Sequence, residues 1–438
     1  MRKSILATFI ATAFLSLNAH ASDLMQVYKE ALANDAQFGA ARAARLAGAE
    51  RTVQGRAGLL PGVKATAGVT RSHTEIDPDF GKSVSGSSTT KGLSVSMSQT
   101  LFDLGAWETY EQGKLSSIAS EIQFAQAQQD LMLRVAQAYF DVLAAENTLK
   151  TLQDQKVATA EQLASAKRNF EVGTQTITDT HEAQSAYDLV TAQVLAGEGD
   201  LEVKRAALRQ IIGKDAGNLS RLKDGVQLSA PVPSQINEWV STAEKQNYGV
   251  TGSQISLEIA QREIKKSRAG HLPTVDLTAS TARNNGPLAT GGNGISKPST
   301  IGVSVTIPIF KGFSTDSRVR ETIALEDKAR NDLENARRTA AQGARQAYIG
   351  VVSGLAQIKA FEAAEISSQS ALDSTKLGYQ VGVRINIDVL NAQQKLSNTR
   401  QSLAKARYDN IVNGLRLKAA AGTLKEADLA EVNTFLVQ

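Results

Sequence analysis

Hydrophobic and polar positions change period several times along the chain. Residues from Asp23 to about Arg56 are helix-favouring and free of proline, with Leu24, Val27, Ala31 and Leu32 along one face, which predicts a helix. Leu60-Pro61-Gly62 ends it. The period then shortens to two: Val63, Ala65, Ala67 and Val69 alternate with Lys64, Thr66, Gly68 and Thr70. After a polar Gly/Ser-rich connection from Ser72 to Thr90, Leu93, Val95, Met97 and Leu101 alternate with Ser94, Ser96, Ser98 and Thr100. Two strands of about ten residues follow, apolar on one face and small or polar on the other. A second such pair sets Val275, Leu277 and Ala279 against Asp276, Thr278 and Ser280. Beyond the loop Asn284 to Pro298, its partner sets Val303, Val305, Ile307 and Ile309 against Gly302, Ser304 and Thr306.

The stretches after each hairpin return to a helical period. Leu115 to Phe170 contains neither glycine nor proline, which predicts a rod of roughly 80 Å at about 1.5 Å per residue. Leu115, Ile118, Ile122, Ala125, Met132, Ala136, Tyr139 and Leu143 follow a three-four spacing, the seam of a coiled coil. A matching helix is expected from about Thr315 to Leu377, with return helices from about Thr178 to Ile212 and Ile387 to Ala421. Gly197 and Gly199 fall inside the first return helix as packing or curvature positions and lack the spacing of a phosphate loop.

The two halves are versions of one unit. Phe170-Glu-Val-Gly-Thr-Gln-Thr-Ile-Thr-Asp179 is answered by Tyr379-Gln-Val-Gly-Val-Arg-Ile-Asn-Ile-Asp388, and the register continues without a gap to Gly213 and Gly422. Ala57 to Pro61 is matched by Ala269 to Pro273, and Gln137-Ala-Tyr139 by Gln346-Ala-Tyr348. The chain therefore reads as a tandem duplication. Residues 22–213 form the first repeat and 236–422 the second, with hairpins at about 62–102 and 274–310. A linker over 214–235 and a C-terminal segment over 423–438 could pack together as an equatorial belt around the rod.

Composition adds the compartment. Arg2-Lys3, the apolar run from Ile5 to Leu17 and Ala19-His-Ala21 read as a secretory signal peptide over residues 1–21. Without Arg2 and Lys3 the net charge falls from +4 to about +2, which gives no electrostatic footing for nucleic acid. No later apolar run reaches the roughly 18 residues of a spanning helix. There is no cysteine for a disulfide, and Ser22 takes the place of a lipidated N-terminal cysteine.

An exported chain with strands of this length and alternation fits a transmembrane β-barrel. Four strands cannot close one, and an open edge in lipid leaves backbone groups unpaired at several kcal/mol each. The barrel must be shared among copies: two give eight strands, three give twelve.

Candidate chemistry is sparse. His20 belongs to the leader, and His73, His181 and His271 lie far apart with no second ligand at metal spacing. Neither G-x-S-x-G nor H-E-x-x-H occurs, so no enzyme is expected, nor any cofactor or metal. The Val172-Gly173 and Val381-Gly382 turns say more, because each interrupts a long helical pattern before another resumes. Tyr379, Arg384, Asp388 and Asn391 cluster at the second turn, with Asp388 and Asn391 on one helical face. Thr178-Asp179 occupies the corresponding place at the first, where each aspartate also suits a helix start.

The hairpins, the paired long helices and the run Tyr379-Gln-Val-Gly-Val-Arg-Ile-Asn-Ile-Asp-Val-Leu-Asn391, with Ala406-Arg-Tyr-Asp409 and Gly422-Thr-Leu424, resemble the TolC family of outer-membrane efflux proteins. The resemblance spans essentially the whole mature chain. It implies a homotrimer in the outer membrane of a Gram-negative bacterium, with a twelve-stranded β-barrel continuous with a long periplasmic α-helical barrel. It further implies that the inner helix pair closes the periplasmic mouth and opens by untwisting. By matching position, Asp388 would form an acidic constriction ring, and Tyr379 and Arg384 would hold the closed state through bonds to Thr178 and Asp179. Asn391 departs from the family, where close relatives carry a second aspartate ring, so a less acidic aperture is expected.

The function that follows is an exit duct of a tripartite export system, passing secreted proteins, small toxic compounds or both. Energy would come from an inner-membrane ABC or proton-driven transporter, coupled through a periplasmic adaptor protein. The rival is a non-conducting coiled-coil adhesive or structural protein with a small membrane anchor. Ser94, Ser96 and Ser98 favour the duct, because a wetted lumen asks for a polar second face.

Overall fold

The computed structural model describes residues 21–223, 225–287 and 292–437. The predicted leader lies outside the described residues except at its last position. The chain begins with α1 (Leu24–Asn34) and α2 (Ala36–Ala57). The single helix expected over this stretch is thus broken at Asp35, which leaves the helical region at ψ 118° while its carboxylate caps the Phe38 amide at 2.6 Å. Arg134 donates two hydrogen bonds to the same carboxylate, at 2.9 and 3.0 Å, fixing the break against the long helix α3 (Leu104–Glu171). Burial alone would raise the Asp35 pKa. The Arg134 and Phe38 hydrogen bonds outweigh it and hold this carboxyl below its ordinary value.

α3 begins before Gly105 and Gly113 and spans 68 residues, about 100 Å. Gly113 is used where backbones touch, since a Cβ there would lie 2.6 Å from the Arg51 carbonyl oxygen on α2. Met132, Ala136, Tyr139 and Leu143 of the expected seam are buried, whereas Ile118 remains half exposed. α4 (Ile177–Ile212) returns alongside α3, and a Cβ at Gly197 would press on Leu152 of α3 at 3.3 Å. The second half repeats the plan with α5 (Ile236–Gln246), α6 (Tyr248–Ala269), the long α7 (Ser314–Gln380) and the returning α8 (Asn386–Ala420). α3 also packs along α6 and α8, which joins the halves into one elongated body.

The largest core sits at mid-height. Tyr28, Leu131, Val135, Tyr139, Phe140 and Leu143 pack with Tyr408, Ile411 and Leu415 of α8. The Tyr139 hydroxyl donates to the Ser220 carbonyl at 2.8 Å, tying the core to the inter-repeat connection. That connection and the C-terminal segment with α9 (Glu426–Asn433) meet through the antiparallel bridge Leu222–Leu436, and Ser22 bridges Leu219 in parallel. Lys418 joins the C-terminal segment to α8 through Asp428 at 2.7 Å.

At one end stands a single antiparallel sheet of β1 (Gly62–Ile76), β2 (Val84–Phe102), β3 (Thr274–Pro287), β4 (Asn293–Ser296) and β5 (Ser299–Thr306). The first three strands run longer than the ten residues expected, and part of the anticipated 284–298 loop is strand. The reason lies in the pairing: Asn284–Ser296 and Thr281–Ser299 belong to one register, so β4 and β5 form a single broken strand against β3. The sheet thus carries four strand positions, with β1 and the β4–β5 strand as its open edges.

The register sorts the side chains. Val63, Ala65 and Ala67 stand beside Met97, Val95 and Leu93, and Leu277 and Ala279 beside Val303 and Ile301. On the reverse face Lys64, Thr66 and Gly68 meet Ser96, Ser94 and Gly92, and Ser96 meets Ser280. From Ser88 to Ser96 the even-numbered residues of β2 are half covered and Thr89, Lys91, Leu93 and Val95 stand exposed, so the sheet curls around its polar face. Ile301, Val303 and Val305 are 78, 62 and 60% exposed in the single chain, an apolar surface that water does not favour. Phe102, Trp107, Phe310 and Phe313, all exposed, mark the junction with the helices as an aromatic girdle.

Candidate functional site: the helix-turn tips

Opposite the sheet, α3 turns into α4 and α7 into α8. Both long helices end on a valine cap followed by a left-handed glycine, Gly173 at φ 78° and Gly382 at φ 82°. A side chain at either glycine would be strained whatever the space around it. The folded-back amides are satisfied alike: Thr174 N donates to Asn169 O at 2.8 Å and Val383 N to Gly378 O at 2.9 Å.

After the turns the two repeats start their return helices differently. In the first, Thr176 caps α4: its hydroxyl accepts from the Asp179 amide at 3.3 Å, and the Asp179 carboxylate accepts from the Thr176 amide at 3.0 Å. In the second, Ile385 stands where Thr176 stood, and no side chain caps α8. Asp388 is left free to face Arg384 at 3.6 Å. The Arg384 stem lies over Gly378, where a Cβ would approach it to 2.8 Å.

The expected bonds from Tyr379 and Arg384 to Thr178 and Asp179 are not made within the chain. Asp179 is engaged by its own cap, and Arg384 is drawn to Asp388. The Tyr379 hydroxyl instead accepts from Gln175 Nε2 at 2.7 Å and Asn169 Nδ2 at 3.4 Å, which does link the second turn to the first.

Asn386 makes a further link that sequence reasoning missed. It is fully buried, accepts from Gln162 at 2.5 Å and donates to the Asp179 carbonyl at 3.3 Å. The signal lay in the repeat alignment, which sets this polar residue against Ile177, itself 47% exposed. Polarity and burial have exchanged places between the two copies. Around these links Leu163, Ala166, Ala183 and Leu390 form a small apolar cluster.

Asn391 is exposed and lines a groove with Gln155, Thr159, Thr178, His181 and Gln394, between α3, α4 and α8. Lys395 and Asn398 continue the exposed face of α8. Among the described residues no group of three His, Asp or Glu side chains is placed to hold a metal ion. The arrangement suits a mechanical joint with a polar face, fastened by hydrogen bonds between two flexible turns.

The outer membrane efflux protein family model matches residues 27–214 and 239–423, one stretch per repeat. The chain is 32% identical over 440 residues to outer membrane protein TolC of Vibrio cholerae, covering 99% of each. It is 30% identical to the proteases secretion protein PrtF of Dickeya chrysanthemi, covering 98% of this chain and 94% of that one. The fold matches the outer membrane channel CmeC of Campylobacter jejuni with a TM-score of 0.80 at 20% identity, over 95% of this chain and 90% of that one.

Proposed function

From the premise that this chain belongs to the outer membrane efflux protein family, and so is an outer-membrane exit duct for efflux and secretion with a periplasmic extension, we propose that three copies build one conduit. The observation that carries this reading is the curved sheet with four strand positions, an apolar convex face and two open edges. Three such sheets joined edge to edge give twelve strands, satisfy every edge amide and enclose the Ser/Thr/Gly face. The helices continue below as a second barrel about 100 Å long.

The duct is passive. It is energised from the inner membrane by an ABC or proton-driven transporter, to which a periplasmic adaptor protein connects it. The exposed apolar residues at the tips, Val172, Ile177, Val381 and Val383, suit docking by such an adaptor. In the trimer Asp388 forms the acidic ring of the aperture and Asn391 a neutral ring beside it. Arg384 and Tyr379 reach Thr178 or Asp179 of a neighbouring copy in the closed state, in addition to their bonds within the chain. Recruitment of the partners offsets these links and shifts a two-state aperture toward open. The cargo class includes secreted proteins, as the name of the Dickeya relative states for that protein, and small toxic compounds.

The test is electrical. Purified protein added to a planar bilayer should insert as a trimer, shown by cross-linking, and give discrete conductance steps. A chain that inserts without conducting would favour the adhesive or structural reading.

A further inference from the structure

The convex face of the sheet changes character at its outer end. Between the aromatic girdle and the middle of β1 it is apolar, with Val63, Ala65, Ala67 and Val69 on β1 and Leu93, Val95 and Met97 on β2. Further outward each strand position turns basic on this face, directly after the apolar residues on β1 and β2 and after the polar pair Thr281–Ser299 on β3 and β5. Arg71 follows Val69 on β1, Lys91 lies opposite Val69 on β2, and Arg283 lies opposite Leu93 on β3. The single register of β4 and β5 places Lys297 opposite Arg283. Side chains directly opposite in such a ladder lie about 5 Å apart at Cβ, and diagonal ones about 7–8 Å. Arg71, Lys91, Arg283 and Lys297 therefore form one diagonal row across the sheet.

Among the described residues nothing neutralises this row. All four side chains are exposed, and none forms an ion pair with a described residue. β2, β4 and β5 carry no carboxylate, and Asp276 of β3 belongs to the polar face, opposite Ser304. The nearest acid on the convex side is Glu75, beyond His73 on β1. Like charges directly opposite each other destabilise a sheet, so the Arg283–Lys297 pair calls for an anion between them. At this end the described strands carry no Phe, Trp or Tyr, and cations take the place that aromatic residues hold below; Phe80, fully exposed, lies beyond them in the β1–β2 turn.

We propose that Arg71, Lys91, Arg283 and Lys297 form a binding site for the phosphorylated glycolipid headgroup of the outer leaflet. The position selects the ligand: the row faces lipid just outside the apolar band, at the depth where headgroup phosphates lie. The chemistry agrees, because guanidinium groups bind phosphate bidentately and lysines add point charge. Four cations spread over three spacings suit a headgroup with two phosphates better than one with a single phosphate. Bound lipid would cancel the repulsion along the row and seal the outer rim of each sheet.

The experiment uses the full-length protein in detergent, incubated with purified bisphosphorylated lipid A or its monophosphorylated form. Lipid retained after detergent exchange is counted by native mass spectrometry. Bisphosphorylated lipid A should be retained at about one or more per chain and raise the melting temperature, with affinity on the order of tenfold above the monophosphorylated form. Replacing all four residues by glutamine should abolish that difference. Lys64→Gln, the same change on the concave face, should leave it intact. Equal retention of both lipids by the unaltered protein would overturn the site without reliance on any variant. So would a loss caused equally by Lys64→Gln.

Discussion

Arg384 Nη1 lies 3.6 Å from Asp388 Oδ2, one turn apart at the start of α8, while the matching carboxylate of the first repeat, Asp179, is held in a cap by Thr176. Threonine at 176 against isoleucine at 385 leaves Asp179 capped and Asp388 uncapped, and glutamine at 175 against arginine at 384 gives Asp388 a charged neighbour instead. Arg384 both neutralises Asp388 and braces the turn through its stem over Gly378. Arg384→Ser should therefore loosen the tip and expose the carboxylate. Single-channel conductance in planar bilayers is expected to rise on the order of twofold. An unchanged conductance would place the narrowest point of the duct elsewhere.

Asp388 is the only carboxylate on the exposed face of α8 until Asp409, which is paired with Lys405 at 2.6 Å. With Asn391 and Lys395 following it, the proposed aperture would draw its cation preference on this helix from this one group. Asp388→Asn should move the reversal potential in a KCl gradient toward zero. Ile385→Thr offers a gentler probe, because it restores the cap and engages the Asp388 carboxylate at the start of its own helix. That variant should gain about 1 kcal/mol at the start of α8 and still lose cation preference. Preserved preference in both variants would show that Asp388 does not face the ions.

Much of this was legible in the sequence because duplication repeats its own punctuation. The Val-Gly turns, the long helices and the alternation of the strands all follow from local pattern, and the turns rest on left-handed glycines at 173 and 382. The parts that were not legible depend on contacts remote in sequence. The break at Asp35 is fixed by Arg134, a partner that no local propensity could announce. Asn284 to Pro298 looked like loop by composition, yet pairing against β3 recruits Asn293–Ser296 into the sheet. At the tips, spacing identified the turns but not the choice among polar partners, which the Thr176 cap decides for Asp179.

The Asp35 junction gives a pH prediction. Its folded pKa is depressed, so its contribution is fully present above the ordinary carboxylate value of 3.8. As pH falls below that value the unfolded chain binds a proton that the folded chain does not, and stability declines until the folded carboxyl protonates too. Asp35→Asn should cost about 2 kcal/mol at neutral pH, from the weakened cap and the broken pair with a partly solvated arginine. The gap in thermal midpoint between the two proteins should narrow as pH falls through 3.8 and below. A gap independent of pH would show that the carboxylate charge contributes nothing at this break.

The orientation of the sheet can be tested without measuring transport. Val303 lies on the convex face beside Leu277, whereas Ser280 and its neighbour Ser96 lie on the concave face. If the convex face meets lipid, Val303→Arg places a charge in hydrocarbon at a cost of roughly 2–4 kcal/mol per chain near mid-bilayer. That cost recurs in every copy, so trimers should be depleted from membranes and the residual trimers should dissociate at lower temperature in detergent. Ser280→Arg puts the same charge into the water-filled interior, where assembly should be preserved and only conductance should change. The reverse pattern, tolerance at 303 and loss at 280, would mean that the polar face packs against protein and that the enclosed lumen does not exist. Because both variants add the same side chain to the same sheet, the comparison isolates the medium each face meets.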